Sequence, residues 1–217
     1  MVEKHNSSLS VHRNGQAKRA QILGAAHRHF SYYGFSKVTM NEIAAELGMG
    51  KASLYYYFPT KEDLFQAVLA EKHKDFLKAV DSCICPLRTS TEKIRTFVAM
   101  RMDFFSDVLN LNLVDFQHWQ SIRPQLRTSF RKFTQHEHHI LRRVIQEGTN
   151  AGDFDIESVD KFTNAFFQIM RGMRCQFIRA IEGPQVHTNE LQVLKRETLF
   201  IADIFLRGMA ANCGKRK

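Results

Sequence analysis

Long apolar runs are missing from this 217-residue chain: nothing in it approaches the roughly 18 to 20 apolar residues that span a bilayer. The first 20 residues are polar and hold no signal-peptide core, so a cytoplasmic protein without a membrane partner is expected. Cysteine is scarce. Cys83, Cys85, Cys175 and Cys213 form no Cys-x-x-Cys pair and no zinc spacing, and reduced thiols that pack as small buried hydrophobes are the expectation. There is no Gly/Ser-rich linker, no repeat, no low-complexity segment and no alternating strand pattern. Catalytic signatures are absent as well: no Gly-x-Ser-x-Gly elbow, no Gly-rich phosphate loop and no His-Glu-x-x-His. His136, His138 and His139 include an i, i+3 pair, but no acidic or thiol partner shares their spacing. The composition therefore argues for no enzyme, no cofactor and no metal.

What the chain does have is basic charge, aromatic residues and helical periodicity. The net charge is +9, and 44% of the residues are hydrophobic, enough for a sizeable core in one or two domains. Residues 1–61 carry 8 Lys and Arg against 3 Asp and Glu, residues 62–123 are close to neutral, and residues 124–217 are basic again. A basic N-terminal third fits phosphate neutralisation; the C-terminal excess reads as a solvated face.

The stretch at 39–61, TMNEIAAELGMGKASLYYYFPTK, organises that basic third. Thr39 and Glu42 form a capping box, and Val38 and Ile43 stand at the staple positions of a short helix. Its apolar stripe is Ile43, Ala44 and Leu47, and Gly48 ends it by taking a left-handed conformation. A second short helix runs over 50–58 and closes at Pro59, with Leu54 and Phe58 turned to the core and Lys51, Ala52, Ser53, Tyr55 and Tyr56 toward solvent. Small residues at its front let it approach base edges, and Tyr hydroxyls and Lys ammonium groups suit phosphates. Two short helices about a glycine turn make a helix-turn-helix.

Thr39, Ile43-Ala44, Gly48, Leu54-Tyr55-Tyr56-Tyr57-Phe58, Lys61 and Leu64 together resemble the signature of TetR-family transcriptional regulators over about residues 16–66. Gly50 departs from the Ser that many members carry there, which weakens the cap of the reading helix. The resemblance implies that Gly50, Lys51, Ala52, Ser53 and Tyr56 lie over bases or phosphates. Asn41 would reach a base, and Thr39, Tyr55, Tyr57 and Lys61 would hold the DNA backbone. Beyond that segment it implies only architecture: an all-α chain with a helix-turn-helix domain at 16–62 and a ligand-binding and dimerisation domain at 63–217; residues 1–15, polar and without periodicity, read as a disordered or tag-like arm.

Periodicity supplies the other helices, about nine in all. A scaffold helix over 16–33 carries Ile22, Ala26 and Phe30 and stops at Gly34; a lever helix over 60–82 follows, capped by Thr60 with Asp63. Further helices are expected at 91–108, 111–121, 124–148 (opened by Pro124), 158–182 and 189–210. The last two are apolar on more than one side, and a two-fold homodimer through them would absorb the surplus. Phe104, Phe105, Phe116, His118, Trp119, Phe130, Phe133, Phe166, Met170, Met173 and Phe177 come from the helices that in this family enclose an effector cavity. Few fixed charges among them suggest an apolar or aromatic ligand. The resulting expectation is a repressor that binds a palindromic double-stranded operator as a dimer and is released by a small molecule. An activator shares every one of these features. The alternative from another class is a helical small-molecule carrier or enzyme without specific DNA recognition.

Overall fold

The structure is a computed structural model; it describes the backbone of residues 3–110, 116–180 and 188–210, and side chains within 15–108, 130–179 and 189–210. Among the described residues every regular element is a helix: α1 (Glu3–Tyr33), α2 (Met40–Glu46), α3 (Lys51–Tyr57), α4 (Lys61–Ile84), α5 (Ser90–Asn110), α6 (Phe116–Ala151), α7 (Val159–Ala180) and α8 (Thr188–Met209). None of them is long and apolar enough to cross a membrane.

Three departures from the sequence reading concern helix ends. α1 begins at Glu3, so most of the stretch expected as an arm is helix; once a helix is nucleated, each added residue gains a hydrogen bond without a new nucleation cost. The short helix expected at 111–121 and the long one opened by Pro124 are one helix, α6, which carries Pro124 inside its 36 residues. A proline there removes one intrahelical hydrogen bond, and a helix of this length continues past the loss. Among the described residues eight helices therefore stand, near the nine or so expected. Third, α5 starts one residue before the expected Thr91, because Thr89 and Glu92 form a second capping box: each backbone amide donates to the other's side chain, at 3.2 Å both ways.

The chain divides into two compact units, residues 1–72 with 110–127 and residues 73–109 with 128–217. In the first, Ile22, Ala26 and Phe30 of α1 are fully buried with Ile43, Leu54, Leu64 and Phe65. Phe30, Phe35 and Phe65 meet ring to ring with centroids 4.8–5.6 Å apart. Burying each ring stabilises by about 1.5–3 kcal/mol, enough to hold helices too short to persist alone. Gly34 and Gly48 both take positive φ, 81° and 59°, and stop α1 and α2 as their positions predict.

In the second unit the main core is built from Val80, Ile94, Leu141, Val144, Ile145, Phe166, Ala202 and Met209, contributed by five helices. A smaller cluster joins Met102 and Phe105 to Leu191 and Leu194. The C-terminal end of α6 is packed unusually tightly. A Cβ built on Gly148 would lie 2.5 Å from the Phe154 ring and 2.7 Å from the Ser90 Cβ. The Gly148 carbonyl accepts from the amides of Asp153 and Phe154, and the Asp155 amide donates to the Met209 carbonyl at 2.9 Å, so the α6–α7 connection is tied to the end of α8.

Candidate DNA-reading surface and ligand cavity

The cap of α2 is made as the sequence predicts. The Thr39 hydroxyl accepts from the Glu42 amide at 3.3 Å and donates to the Glu42 carboxylate at 2.9 Å, while the Thr39 amide donates to that carboxylate at 2.7 Å. The Thr39 backbone amide, followed by its hydroxyl, holds the Glu42 carboxyl below its ordinary range. Val38, Met40, Ile43 and Ala44 are buried beneath this cap. Glu46 at the far end accepts from Arg28 and lies 2.6 Å from His29 Nε2, tying α1 to α2. Arg28 on α1 is one half of that tie.

The reading helix α3 is anchored by Leu54 and by Phe58 just past its end, both buried. Lys51, Ala52, Ser53, Tyr55 and Tyr56 are exposed, as is Asn41 on α2, and Tyr57 is half-buried. Tyr56 is 85% exposed. Gly50 caps α3 without any side-chain hydrogen bond, as its lack of a hydroxyl requires. Lys18, Met49, Ala52, Ser53, Tyr56 and Tyr57 line one open concavity, so α1 contributes a cation to the face that α3 presents.

Lys61 is placed differently from a free phosphate contact. Its ammonium donates to the carbonyls of Phe35 at 2.9 Å and Val38 at 3.1 Å and sits 4.4 Å over the Phe35 ring. Burial pushes it below the ordinary lysine value, with Glu62 and Glu42 acting in the opposite direction. One N–H of the three remains uncommitted to these carbonyls.

The second unit holds a polar cluster that sequence reasoning missed. Glu137 on α6 is 1% exposed. Its Oε1 accepts from His73 Nε2 at 3.1 Å and its Oε2 from Arg101 Nε at 2.7 Å. Burial alone would raise this carboxyl; the Arg101 and His73 contacts outweigh it, and the carboxyl is held below its ordinary range. The His73 ring stacks on Phe133 with centroids 4.1 Å apart and meets Phe104 edge-on at 5.9 Å. Arg174 on α7 is 8% exposed, and burial, followed by Arg101, pushes its guanidinium down to about 9. Arg101, Glu137, Arg174 and Thr198 line a cavity of about 10 Å³ whose other walls are apolar, among them Phe97, Met102, Phe166 and Met170.

Of the expected ligand residues, Phe166 and Met170 line this cavity. Phe104 packs on Phe76, Phe130 meets Phe133, and Phe105, Met173 and Phe177 pack at the smaller cluster. Phe116, His118 and Trp119 lie on α6, but their side chains fall outside the described residues. Cys83 and Cys85 are exposed on α4 and just past its end, against the expectation of burial, and Cys175 is half-buried. His138 is held to Asn164 at 2.8 Å, and among the described residues no three His, Cys, Asp or Glu gather as metal ligands.

The sequence profile described as "Bacterial regulatory proteins, tetR family" matches residues 22–68, and "Tetracyclin repressor-like, C-terminal domain" matches residues 87–174. A transcriptional regulator from Cytophaga hutchinsonii superposes with a TM-score of 0.82 at 30% identity, over 89% of this chain and 98% of that one. The HTH-type transcriptional regulator RutR of Escherichia coli is 37% identical over 91 residues, 41% of this chain and 43% of RutR. The fatty acid metabolism regulator protein of Bacillus subtilis is 24% identical over 136 residues, 63% of this chain and 70% of that protein.

Proposed function

The chain belongs to the TetR family of bacterial regulatory proteins, and on that premise we propose that it is a repressor released from a palindromic operator by a small effector. The observation that carries the proposal is the α3 surface, where Lys51, Ala52, Ser53 and Tyr56 project from a helix anchored by Leu54. Set into a major groove, Ala52 and Ser53 allow close approach to base edges, and Lys51, Tyr55 and Tyr56 reach flanking phosphates. Asn41 stands beside them as a base contact. Thr39 and Tyr57 border the DNA backbone, and Lys61 retains one N–H for a phosphate while its other protons hold the head together. Lys18 joins this set from the shared concavity. A regulator of this kind works where DNA is, in the cytoplasm.

The dimer rests on α7 and α8. Phe200 is 63% exposed and Ile204 51%, and Ile169 and Val193 also face outward. A second copy against these faces would remove an apolar patch from water and supply the second head that a two-fold operator needs. An effector with an apolar or aromatic body enters the second unit between Phe166 and Met170. It acts on the first unit through α4, whose residues up to Lys72 belong to that unit and whose residues from His73 belong to the other. Coupling of that kind is a difference in effector affinity between two states of the dimer.

The test is a titration of the full chain against the duplex upstream of its own gene and against random duplex, at several salt concentrations. A specific complex whose log K falls with log salt by about 0.9 per phosphate contact is the expected result. Equal affinity for both duplexes sinks the proposal.

A further inference from the structure

α4 is apolar wherever it is buried, with one exception. Its buried residues are Leu64, Phe65, Val68, Leu69, Phe76, Val80, Ile84 and His73, and His73 is only 2% exposed. Apolar contacts carry no direction, so a helix held by them alone can settle in more than one register. A hydrogen bond does carry direction and is lost beyond about 3.5 Å. The His73 ring is gripped from α6 by two residues one turn apart: it stacks on Phe133 with centroids 4.1 Å apart, and its Nε2 donates to Glu137 Oε1 at 3.1 Å. The acceptor is itself fastened, because Arg101 of α5 donates to the other carboxylate oxygen at 2.7 Å and lies 5.6 Å over the Phe104 ring. A polar group buried in an apolar stripe finds such partners in one register, and selecting that register is its best-attested role. His73, Glu137 and Arg101 all belong to the second unit, while α4 runs on without a break to Lys61 in the first, about 18 Å away along the helix.

We propose that His73 is a positioning residue of the regulator: its bond to Glu137 pins α4 in the register that binds operator, and the state that releases operator is one in which this bond is broken. The inference deepens the regulator reading and rests on it for the word operator; the pin itself stands on the geometry of one unit. On the repressor reading the resting state binds DNA, so the pin belongs to that state. A displacement of about 1 Å between His73 and Glu137 ends the bond, and α4 is then held in the second unit by apolar and ring contacts and by surface pairs. The Arg143–Asp81 pair also ties α6 to α4, but both side chains are about half exposed, and pairs of that kind contribute little.

The experiment measures affinity for the duplex upstream of the protein's own gene, together with amide hydrogen exchange, on full-length wild type, His73→Phe, His73→Gln and Asp81→Asn. His73→Phe keeps a ring on Phe133 but has no donor. His73→Gln loses the ring and carries an amide N–H to where Nε2 stood. Asp81→Asn cuts only the surface tie. His73→Phe should bind the duplex roughly fivefold or more weakly than wild type, the lower end of allosteric coupling. His73→Gln should recover most of that loss, and Asp81→Asn should match wild type. Exchange of the 73–84 amides, which reports local opening, should quicken in His73→Phe and slow again in His73→Gln. If His73→Phe does not melt cooperatively, Glu137→Asp takes its place, since a carboxylate one methylene shorter keeps its charge near Arg101 and withdraws from His73. Unchanged or tighter duplex binding in the unpinned variant, equal weakening in His73→Phe and His73→Gln, or an equal loss in Asp81→Asn would each overturn the pin. Exchange separates the two readings. A wild type without a specific complex defeats the regulator alone, and exchange then decides the pin by itself. A specific complex with identical exchange in every variant defeats the pin alone.

Discussion

Glu137 concentrates the electrostatics of the second unit in one side chain, because Arg101 and His73 both donate to it where it is only 1% exposed. Glu137→Gln keeps the shape and removes the charge, leaving Arg101 without its counter-ion. A loss of about 3–5 kcal/mol in denaturant unfolding at neutral pH is expected, the usual cost of breaking one side of a buried pair. The sign of the pH dependence follows from the lowered carboxyl. Its stabilisation is present above the ordinary glutamate value and is lost as pH falls toward the lowered folded value, so wild type and Glu137→Gln should converge in acid. Lys61 gives a second residue-level prediction. Lys61→Met keeps the stem over Phe35 but removes the donor shared by two carbonyls, and should cost about 1–3 kcal/mol in a thermal melt. A variant with unchanged stability and weakened DNA binding would assign the ammonium to phosphate alone. Neither role was legible in the sequence. A single charge on an amphipathic helix reads as solvated, and the partners of Glu137 stand on helices far apart in the chain.

Elements were more readable than residues, for a local reason. Thr39 with Glu42 and Gly34 with Gly48 specify starts and stops within one turn, and all four do in the structure what their spacing predicts. Thr39→Ala should cost about 1 kcal/mol of stability and weaken operator binding through a frayed α2, checked by melting and by the same duplex titration. The equivalent Thr89 and Glu92 box lies among the polar residues that follow Pro86, ahead of the first apolar residue of the helix, so periodicity alone does not reveal it. The sequence divides α6 for a similar reason, since Pro124 reads as a first-turn proline when only neighbouring residues are weighed. α8 shows what periodicity can reveal. Its surplus apolar positions include Phe200 and Ile204, which the single chain leaves exposed. Phe200→Glu with Ile204→Glu should yield a folded monomer in analytical ultracentrifugation with weakened operator affinity. A variant that remains dimeric would move the interface elsewhere.

At the scale of the molecule, the proposed effector site in the second unit and the proposed reading surface in the first are useful only if they are coupled. Binding linkage makes the coupling reciprocal: whatever factor the effector takes from operator affinity, the operator must take from effector affinity. Calorimetry of the effector with and without operator duplex should return the same factor as the DNA titration with and without effector, and unequal factors would show that a third state intervenes. The basic charge at both ends of the sequence now divides in purpose. Of the N-terminal share, Lys51 stands on α3 and Lys18 shares its concavity, while Arg28 and Lys61 tie the head together; part of the C-terminal share is not a solvated face, since Arg174 is buried.

Gly148 bears on how this protein can change over generations. With Phe154 and Ser90 where its side chain would stand, a mutant at 148 gains a methyl group with nowhere to put it. In a saturation library selected for repression, position 148 should stay glycine and admit alanine only in clones that also shorten Phe154 and replace Ser90 by glycine. The three positions are then inherited together, although none lines the proposed reading surface or the cavity.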